Sequence, residues 1–373
     1  MQQQPPREGG DQAIPRELGD AKVRDLIALL GKRRLVEVPY TASLSHTMNA
    51  LVANRVVAVP VAAPPGQWIG AGGSMIMEAD KQTGVVRKHY IGMVTMLDIL
   101  AHIAGSGTDN GIDAGDLDRK MAVPVSSIIG HCLEGLSLWT LNPNTSLVDC
   151  MEVLSKGIHR ALVPEESHTQ ELDVPGVELV ESASSYQMLT QMDLLRFIKA
   201  NSSALHHITS RSITESGALN QTVYAITNRT KVVQAIHCMR AALLIAVPIV
   251  QASEAIQEDY TQLVNGKGRK LIGTFSATDL RGCHLATLET WLPQTALDFT
   301  EKVSTLQAGP RARELVSCSA DESLGEVINK AVSKHVHRLW VVDENGFLQG
   351  LVSLSDIIKA LRAALVFPNS QPF

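Results

Sequence analysis

Three observations predict an α/β chain, more narrowly a series of α+β repeats. A closing signature with a hydroxyl three residues before an aspartate occurs four times: Gly92-Met93-Val94-Thr95-Met96-Leu97-Asp98, Met188-Leu189-Thr190-Gln191-Met192-Asp193, Gly273-Thr274-Phe275-Ser276-Ala277-Thr278-Asp279 and Gly350-Leu351-Val352-Ser353-Leu354-Ser355-Asp356. Each copy follows a β-like apolar run and leads into a helical pattern. Ahead of each pair of runs lies another helical stripe with i, i+4, i+7 spacing, as a core-facing helix requires.

In chain order, the first 20 residues are rich in Gln, Pro and Gly. They offer little apolar surface to bury and are expected to form a flexible tail, with folding starting near Val23. The first stripe is Leu44, Met48, Leu51 and Val52, with caps available from Thr41 to Ser43. The second starts after Asn144-Thr145-Ser146 and shows Leu147, Met151 and Leu154. The third shows Val232, Ile236 and Met239, and the fourth Leu324, Ile328 and Ala331. Strands are expected at Val56 to Val61, Ala161 to Val163, Leu243 to Val250 and Leu339 to Val342, each followed by a second strand that leads into the Asp-bearing helix.

The connection between the two strands separates the repeats. In the fourth it is Asp343-Glu344-Asn345-Gly346, whose Asn-Gly pair signals a tight hairpin. The others stretch from Pro64 to His89, from Glu165 to Ser185 and from Gln251 to Lys270, long enough to be functional or disordered loops. Gly70-Ala71-Gly72-Gly73-Ser74 lacks both the third glycine of a dinucleotide loop and a G-K-[ST] ending, so it reads as a loop. Ala104 to Ala122 and Asn201 to Asn220 are polar, Gly- or Ser-rich segments that read as linkers, the second of which separates two paired modules. The expected boundaries are a tail at 1–20 and repeats at 21–104, 123–200, 218–285 and 310–365.

With 45% hydrophobic and 19% charged residues, the composition is that of a folded globular protein. A formal net charge of −5 argues against a broad nucleic-acid footprint; Arg87-Lys88-His89 and Lys267-Gly268-Arg269-Lys270 are short basic runs at loop ends. The five cysteines, Cys132, Cys150, Cys238, Cys283 and Cys318, are scattered without C-x-x-C spacing, which suggests reduced thiols. No apolar run approaches the roughly 18 residues of a membrane span, and no secretory signal opens the chain. The expectation is a soluble protein of the cytoplasm and/or nucleus.

A hydroxyl and a carboxylate at a strand-to-helix junction suit nucleotide capture. Free N–H groups at the helix start favour phosphate, and a carboxylate can accept both hydroxyls of a ribose. The plainer reading is that each Asp caps its own helix. Catalysis finds no support. His159-Arg160-Ala161 and His337-Arg338-Leu339 lack the Asp of a kinase catalytic loop, and no Walker lysine, H-E-x-x-H or G-x-S-x-G is found. His206-His207 and Cys283-His284 stand apart from any zinc-ligand spacing.

The fourfold arrangement resembles the cystathionine β-synthase (CBS) domain, above all in Val336-His337-Arg338-Leu339 and Val352-Ser353-Leu354-Ser355-Asp356. The whole chain is similar to gamma-type regulatory subunits of the AMP-activated protein kinase family, and most of all to the plant gamma-like subunits of the sucrose-non-fermenting-related kinase. The resemblance implies four CBS repeats paired into two disc-like Bateman-type modules that face each other. It also implies a noncatalytic role, catalytic alpha and scaffolding beta subunits as partners, and AMP, ADP or ATP as regulatory ligands with no obligatory cofactor. The rival expectation is an independent CBS-domain sensor or scaffold for another enzyme.

By the same resemblance Asp98, Asp193, Asp279 and Asp356 are the ribose-binding candidates, with Thr95, Thr190, Ser276 and Ser353 at the common offset. His159-Arg160 and His337-Arg338 match the family's phosphate-contacting pairs, where Arg supplies a planar fork of donors. Repeats one and three depart from that pattern. Val57 stands where the animal subunits have an arginine, Leu243-Leu244-Ile245-Ala246 carries no base, and Ala277 and Met192 replace lysines. Tyr186-Gln187 occupies the place of a glycine in repeat two. The site nearest Ser353, Asp356 and His159-Arg160 is therefore the first expected to be occupied.

Overall fold

The computed structural model describes residues 20–31, 34–63, 88–105, 114–132, 135, 138–165, 185–254, 258–282, 285–308 and 315–367. Residues 1–19 of the expected tail at 1–20, Gly70 to Ser74, Arg87, most of the second long insertion and Cys283-His284 lie outside the described residues.

After helix α1 (Val23–Leu30), repeat one runs β1 (Val38–Pro39), α2 (Leu44–Asn54), β2 (Ala58–Ala62), β3 (Tyr90–Thr95) and α3 (Met96–Ala104), followed by α4 (Ala114–Met121). Repeat two runs β4 (Trp139–Thr140), α5 (Leu147–Ser155), β5 (Arg160–Pro164), β6 (Tyr186–Thr190) and α6 (Gln191–Ala200), followed by the short α7 (His206–Thr209). Repeat three has β7 (Tyr224–Thr227), α8 (Val232–Ala241), β8 (Ala246–Val250), β9 (Val264–Asn265) and β10 (Leu271–Ser276), then α9 (Leu288–Trp291) and α10 (Ala296–Ala308). Repeat four closes with β11 (Ser317–Cys318), α11 (Leu324–Lys334), β12 (Arg338–Val342), β13 (Leu348–Ser353) and α12 (Leu354–Val366).

In repeats one, two and four the short first strand pairs parallel with the second, and the second pairs antiparallel with the third. The predicted stripes are the buried faces: Leu44, Met48 and Leu51 on α2, Leu147, Met151 and Leu154 on α5, Val232, Ile236 and Met239 on α8, and Leu324, Ile328 and Ala331 on α11. Ser43, Ser146 and Ser323 cap α2, α5 and α11 with their hydroxyls, accepting the N–H three residues on. Gly346 at φ +76° sits in the left-handed region that the tight hairpin of repeat four requires.

Repeat three departs from expectation. Its second strand starts at Ala246 instead of Leu243, because Leu243 takes φ +55° where α8 ends. The Asp-bearing helix shrinks to a 3-10 turn, Asp279–Gly282, and β9 adds a fourth strand on the β7 edge. The two segments read as linkers are also partly helical, since they hold α4 and α7.

Two kinds of contact assemble the repeats. Sheets join neighbours in sequence. Leu162 and Tyr186 of repeat two pack with Tyr90 of repeat one, the two tyrosine rings meeting edge-on at 5.6 Å. Trp340 and Leu348 of repeat four pack with Val223, Ala225, Val250 and Leu271 of repeat three. Helices join the modules crosswise. One core merges α3 and α8 of repeats one and three; another merges α5 and α6 of repeat two with α11 and α12 of repeat four. Four CBS-like repeats thus form two paired modules packed face to face. Among the described residues no helix is long and apolar enough to cross a membrane.

Cys132, Cys150, Cys238 and Cys318 are buried free thiols, and burial pushes Cys150 and Cys318 up to about 12, which leaves them protonated and unreactive at neutral pH.

Leu361 is fully buried in the core shared by repeats two and four. Leu361→Ala should lower stability in urea by about 2–5 kcal/mol, and a loss below about 1 kcal/mol would mean that the crosswise core is not a main source of stability. A second expectation concerns pH. His102 on α3 stacks on His131 at 6.4 Å, and burial followed by His131, Lys120 and Arg240 holds its pKa below the ordinary 6.5. Burial also lowers His237 on the facing α8. Such groups bind protons more readily in the unfolded chain, so stability is present above about pH 6.5 and is lost as pH falls below it. The urea midpoint should drop between about pH 7 and pH 5.5, and His102→Gln should flatten that slope.

Candidate functional site

The hairpin register fixes what stands at the mouth of each repeat. Ala58, Arg160, Ala246 and Arg338 open the second strands and lie opposite Thr95, Thr190, Ser276 and Ser353. In each repeat the N–H just after the hydroxyl residue donates to the carbonyl just before that strand: Met96 to Val57 at 3.0 Å, Gln191 to His159 at 3.1 Å, Ala277 to Ile245 at 2.8 Å and Leu354 to His337 at 3.1 Å. His159-Arg160 and His337-Arg338 are therefore equivalent, and repeats one and three place Val57-Ala58 and Ile245-Ala246 at the same spot.

The four aspartates have a common local arrangement. One carboxylate oxygen accepts the N–H and the hydroxyl of the residue three back: Asp98 from Thr95 at 2.8 and 2.6 Å, Asp193 from Thr190 at 2.9 and 2.6 Å, Asp279 from Ser276 at 2.7 and 3.1 Å, Asp356 from Ser353 at 2.9 and 2.6 Å. Asp98, Asp193 and Asp279 are 0%, 2% and 3% exposed, whereas Asp356 is half-buried. Burial raises the Asp98 pKa in spite of hydrogen bonds from Thr95 and Cys132. The geometry is that of a helix cap.

The strand mouths converge on a cavity of about 670 Å³, within the roughly 300–1,000 Å³ of ordinary ligand sites. Repeat one lines it with Arg34, Arg55 and Val57, repeat two with His159, Arg160, Thr190, Gln191 and Arg196, repeat three with Thr278 and Arg281, and repeat four with His335 and His337. A narrower arm of about 70 Å³ continues past Arg160 and His337 to Thr95, Ser276 and Arg338. Among the candidates, His159, Arg160, Thr190 and His337 meet in the main cavity, and Thr95, Ser276 and Arg338 line the arm. Asp98, Asp193, Asp279, Ser353 and Asp356 line neither.

Among the described residues no carboxylate lines the main cavity, so those residues give it a positive field. Arg281 is partly buried and its Nε has no hydrogen-bond partner among the described residues; burial and then the Arg160 charge lower its pKa, while Asp279 opposes them. Arg196 reaches Asp193 at 3.4 Å and donates to His335 Nε2 at 2.6 Å. Because a guanidinium can only donate, that nitrogen is the acceptor and His335 is neutral; burial, Arg196 and Arg281 hold its pKa down. Arg338 is half-buried, donates to the Ala246 carbonyl at 3.0 Å, and drops to about 10 through desolvation that Asp356 partly offsets. Arg55 and His335 take φ +53° and +57° as the left-handed caps that end α2 and α11.

Arg34, Arg55, Arg196, Arg281 and His335 were missed by sequence reasoning. Arg281 sits two residues beyond the aspartate of the repeat whose strand mouth has no base, so searching only strand mouths overlooks it. A base on the helix-start side of each signature was the available signal. Among the described residues no cluster of His, Cys, Asp and Glu could hold a metal ion.

The CBS domain model matches residues 311–363. Over 91% of this chain and 99% of the other, the fold is similar to that of protein MJ1225 from Methanocaldococcus jannaschii, with a TM-score of 0.57 at 16% identity. The 5'-AMP-activated protein kinase subunit gamma-3 of Sus scrofa is 30% identical over 90% of this chain, which spans 55% of that protein's length. Two Arabidopsis thaliana proteins are far more similar. SNF1-related protein kinase regulatory subunit gamma-like PV42b is 59% identical over 92% of this chain and 95% of its own length. PV42a, of the same description, is 61% identical over 98% of this chain and 100% of its own. These relatives are regulatory subunits and not catalytic ones, and the chain belongs to their SNF1-related protein kinase regulatory gamma-like family of CBS-domain proteins.

Proposed function

We propose that the chain is the noncatalytic gamma-like subunit of a heterotrimeric Ser/Thr protein kinase, docking with a catalytic alpha and a scaffolding beta subunit. In this reading AMP, ADP or ATP occupies the central cavity, its phosphates on Arg160, His159 and His337. The observation that carries it is the arginine-lined cavity where all four repeats meet, with no carboxylate among its described lining residues, in a chain whose relatives bear the names of kinase gamma subunits. Because residues from separate repeats share one ligand, binding couples the modules. A ligand shifts an assembly only through its different affinity for two arrangements.

A second reading, an independent CBS-domain sensor or scaffold, draws on the three aspartates that are almost wholly buried. Co-expression with alpha and beta subunits followed by size-exclusion chromatography separates the two. A stoichiometric ternary peak is expected, and separate elution of folded protein would favour the scaffold. For the ligand, a nucleotide at 100 times its Kd stabilises the folded state by about 2.7 kcal/mol, so ATP, ADP or AMP should raise the melting temperature. Arg160→Gln should remove most of that shift by deleting a charged donor at the cavity centre, and an undiminished shift would place the nucleotide elsewhere.

A further inference from the structure

We infer that the central cavity selects its ligand by linked phosphates more than by the nucleoside, and that Arg281 on repeat three is the residue that favours an oligophosphate over a monophosphate. The inference rests on the cavity being a ligand site, as proposed above, and sharpens what that site reads.

Among the described residues the lining holds five arginines and no carboxylate. Two aspartates behind it offset part of that charge: Asp193 beside Arg196 at 3.4 Å, and Asp279 beside Arg281. Five positive charges less two leave about three. A phosphate monoester brings roughly −1.5 to −2 at neutral pH and would leave the cavity positive, whereas two or three linked phosphates would neutralise it.

Arg160 and Arg281 repel each other across repeats two and three, Arg281 and Arg196 both bear on His335 of repeat four, and Arg196 donates to that ring at 2.6 Å. Three arginine cations and one neutral imidazole thus follow one another along the wall in the order Arg160, Arg281, His335 and Arg196. Phosphates in series can follow such a run, while one tetrahedral group engages only a part of it. The buried Nε of Arg281 has no hydrogen-bond partner among the described residues.

Ribose recognition is the weaker element. Asp98, Asp193 and Asp279 are almost wholly buried, each with an oxygen committed to its own helix start, and none of the four aspartates lines the cavity. A ligand held by a ribose contact would need one of these caps to open.

The test is titration calorimetry of the full chain, free of added metal, with inorganic tripolyphosphate, ATP, AMP and adenosine. Tripolyphosphate is expected to bind at least about ten-fold more tightly than AMP, with ATP close to tripolyphosphate and adenosine weakest, because one charged hydrogen bond is worth about 1.5–3 kcal/mol and 1.4 kcal/mol is ten-fold. Arg281→Gln should erase that margin by weakening tripolyphosphate while leaving AMP nearly unchanged, and Arg281→Lys should restore part of it. AMP binding as tightly as tripolyphosphate, or Arg281→Gln weakening both alike, would overturn the inference.

The same titrations separate it from the nucleotide reading. ATP binding without tripolyphosphate binding sinks the inference and keeps the nucleotide. Tripolyphosphate binding with no nucleotide binding keeps the inference and sinks the nucleotide. No binding of any probe to protein with an intact melting transition overturns both. Without ligand, Arg281→Gln should melt higher than the parent protein, since it relieves repulsion from Arg160; a lower melting temperature would mean that Arg281 is held for structure and would also overturn the inference.

Discussion

The crosswise packing of helices, repeat one on three and repeat two on four, is the constraint from which the site follows. Each hairpin buries one face against its own helices, but those helices are apolar on more than one side. Leu354, Ile357, Ile358, Leu361 and Leu365 of α12 can be covered only by adding the helices of repeat two. Once the cores merge in this way, the strand mouths point inward because they are the ends opposite the long insertions. The cavity is therefore a consequence of hydrophobic burial, and its basic lining is what the sequence places on that inward rim. The same geometry lets Gln191 on α6 donate to Ser355 on α12 at 2.8 Å, a polar tie between repeats at the edge of the site.

Much of this was legible in the sequence. The stripes of α2, α5, α8 and α11 appear at their predicted positions because i, i+4, i+7 spacing makes one continuous apolar face. Asn345-Gly346 forms its turn because glycine alone accepts the left-handed conformation at no steric cost. Equivalence of the four signatures was legible too, and the structure gives it a physical basis in the shared backbone hydrogen bond after each hydroxyl. What could not be read were features set by tertiary contact. Leu243 leaves the strand because the chain must turn sharply where α8 ends, and the helix after Ser276 collapses to a 3-10 turn. Arg281 and Arg196 reach the site only through helix packing that no local spacing records.

The aspartates show how a ligand motif and a structural motif can share the same residues. Ser or Thr with Asp three residues later is a capping box, and in this chain the cap geometry is satisfied at 2.6–3.1 Å from the hydroxyl in all four repeats. That reading and the nucleotide reading were both open from sequence, since the same N–H groups serve either purpose. Burial distinguishes the four. Asp356 keeps partial exposure and lies close enough to Arg338 to offset its desolvation, while Asp98 is sealed and its pKa is raised.

Why the fold keeps mutually repelling arginines in one cavity is a question of cost against control. Desolvating like charges destabilises, and the downward pKa shift of Arg281 expresses that cost. Replacing the run with apolar residues would give a more stable protein with nothing to titrate or bind. A run of arginines shared by two modules has one property that a hydrophobic patch lacks. Its energy would change sharply on entry of an anion, and both modules would feel the change at once, because Arg160 and Arg196 belong to one module and Arg281 to the other. Coupling of this kind needs no long pathway through the core. In the proposed reading the charges that would meet an anion come from both modules, so a difference in anion affinity between two module arrangements would translate directly into a preference for one of them.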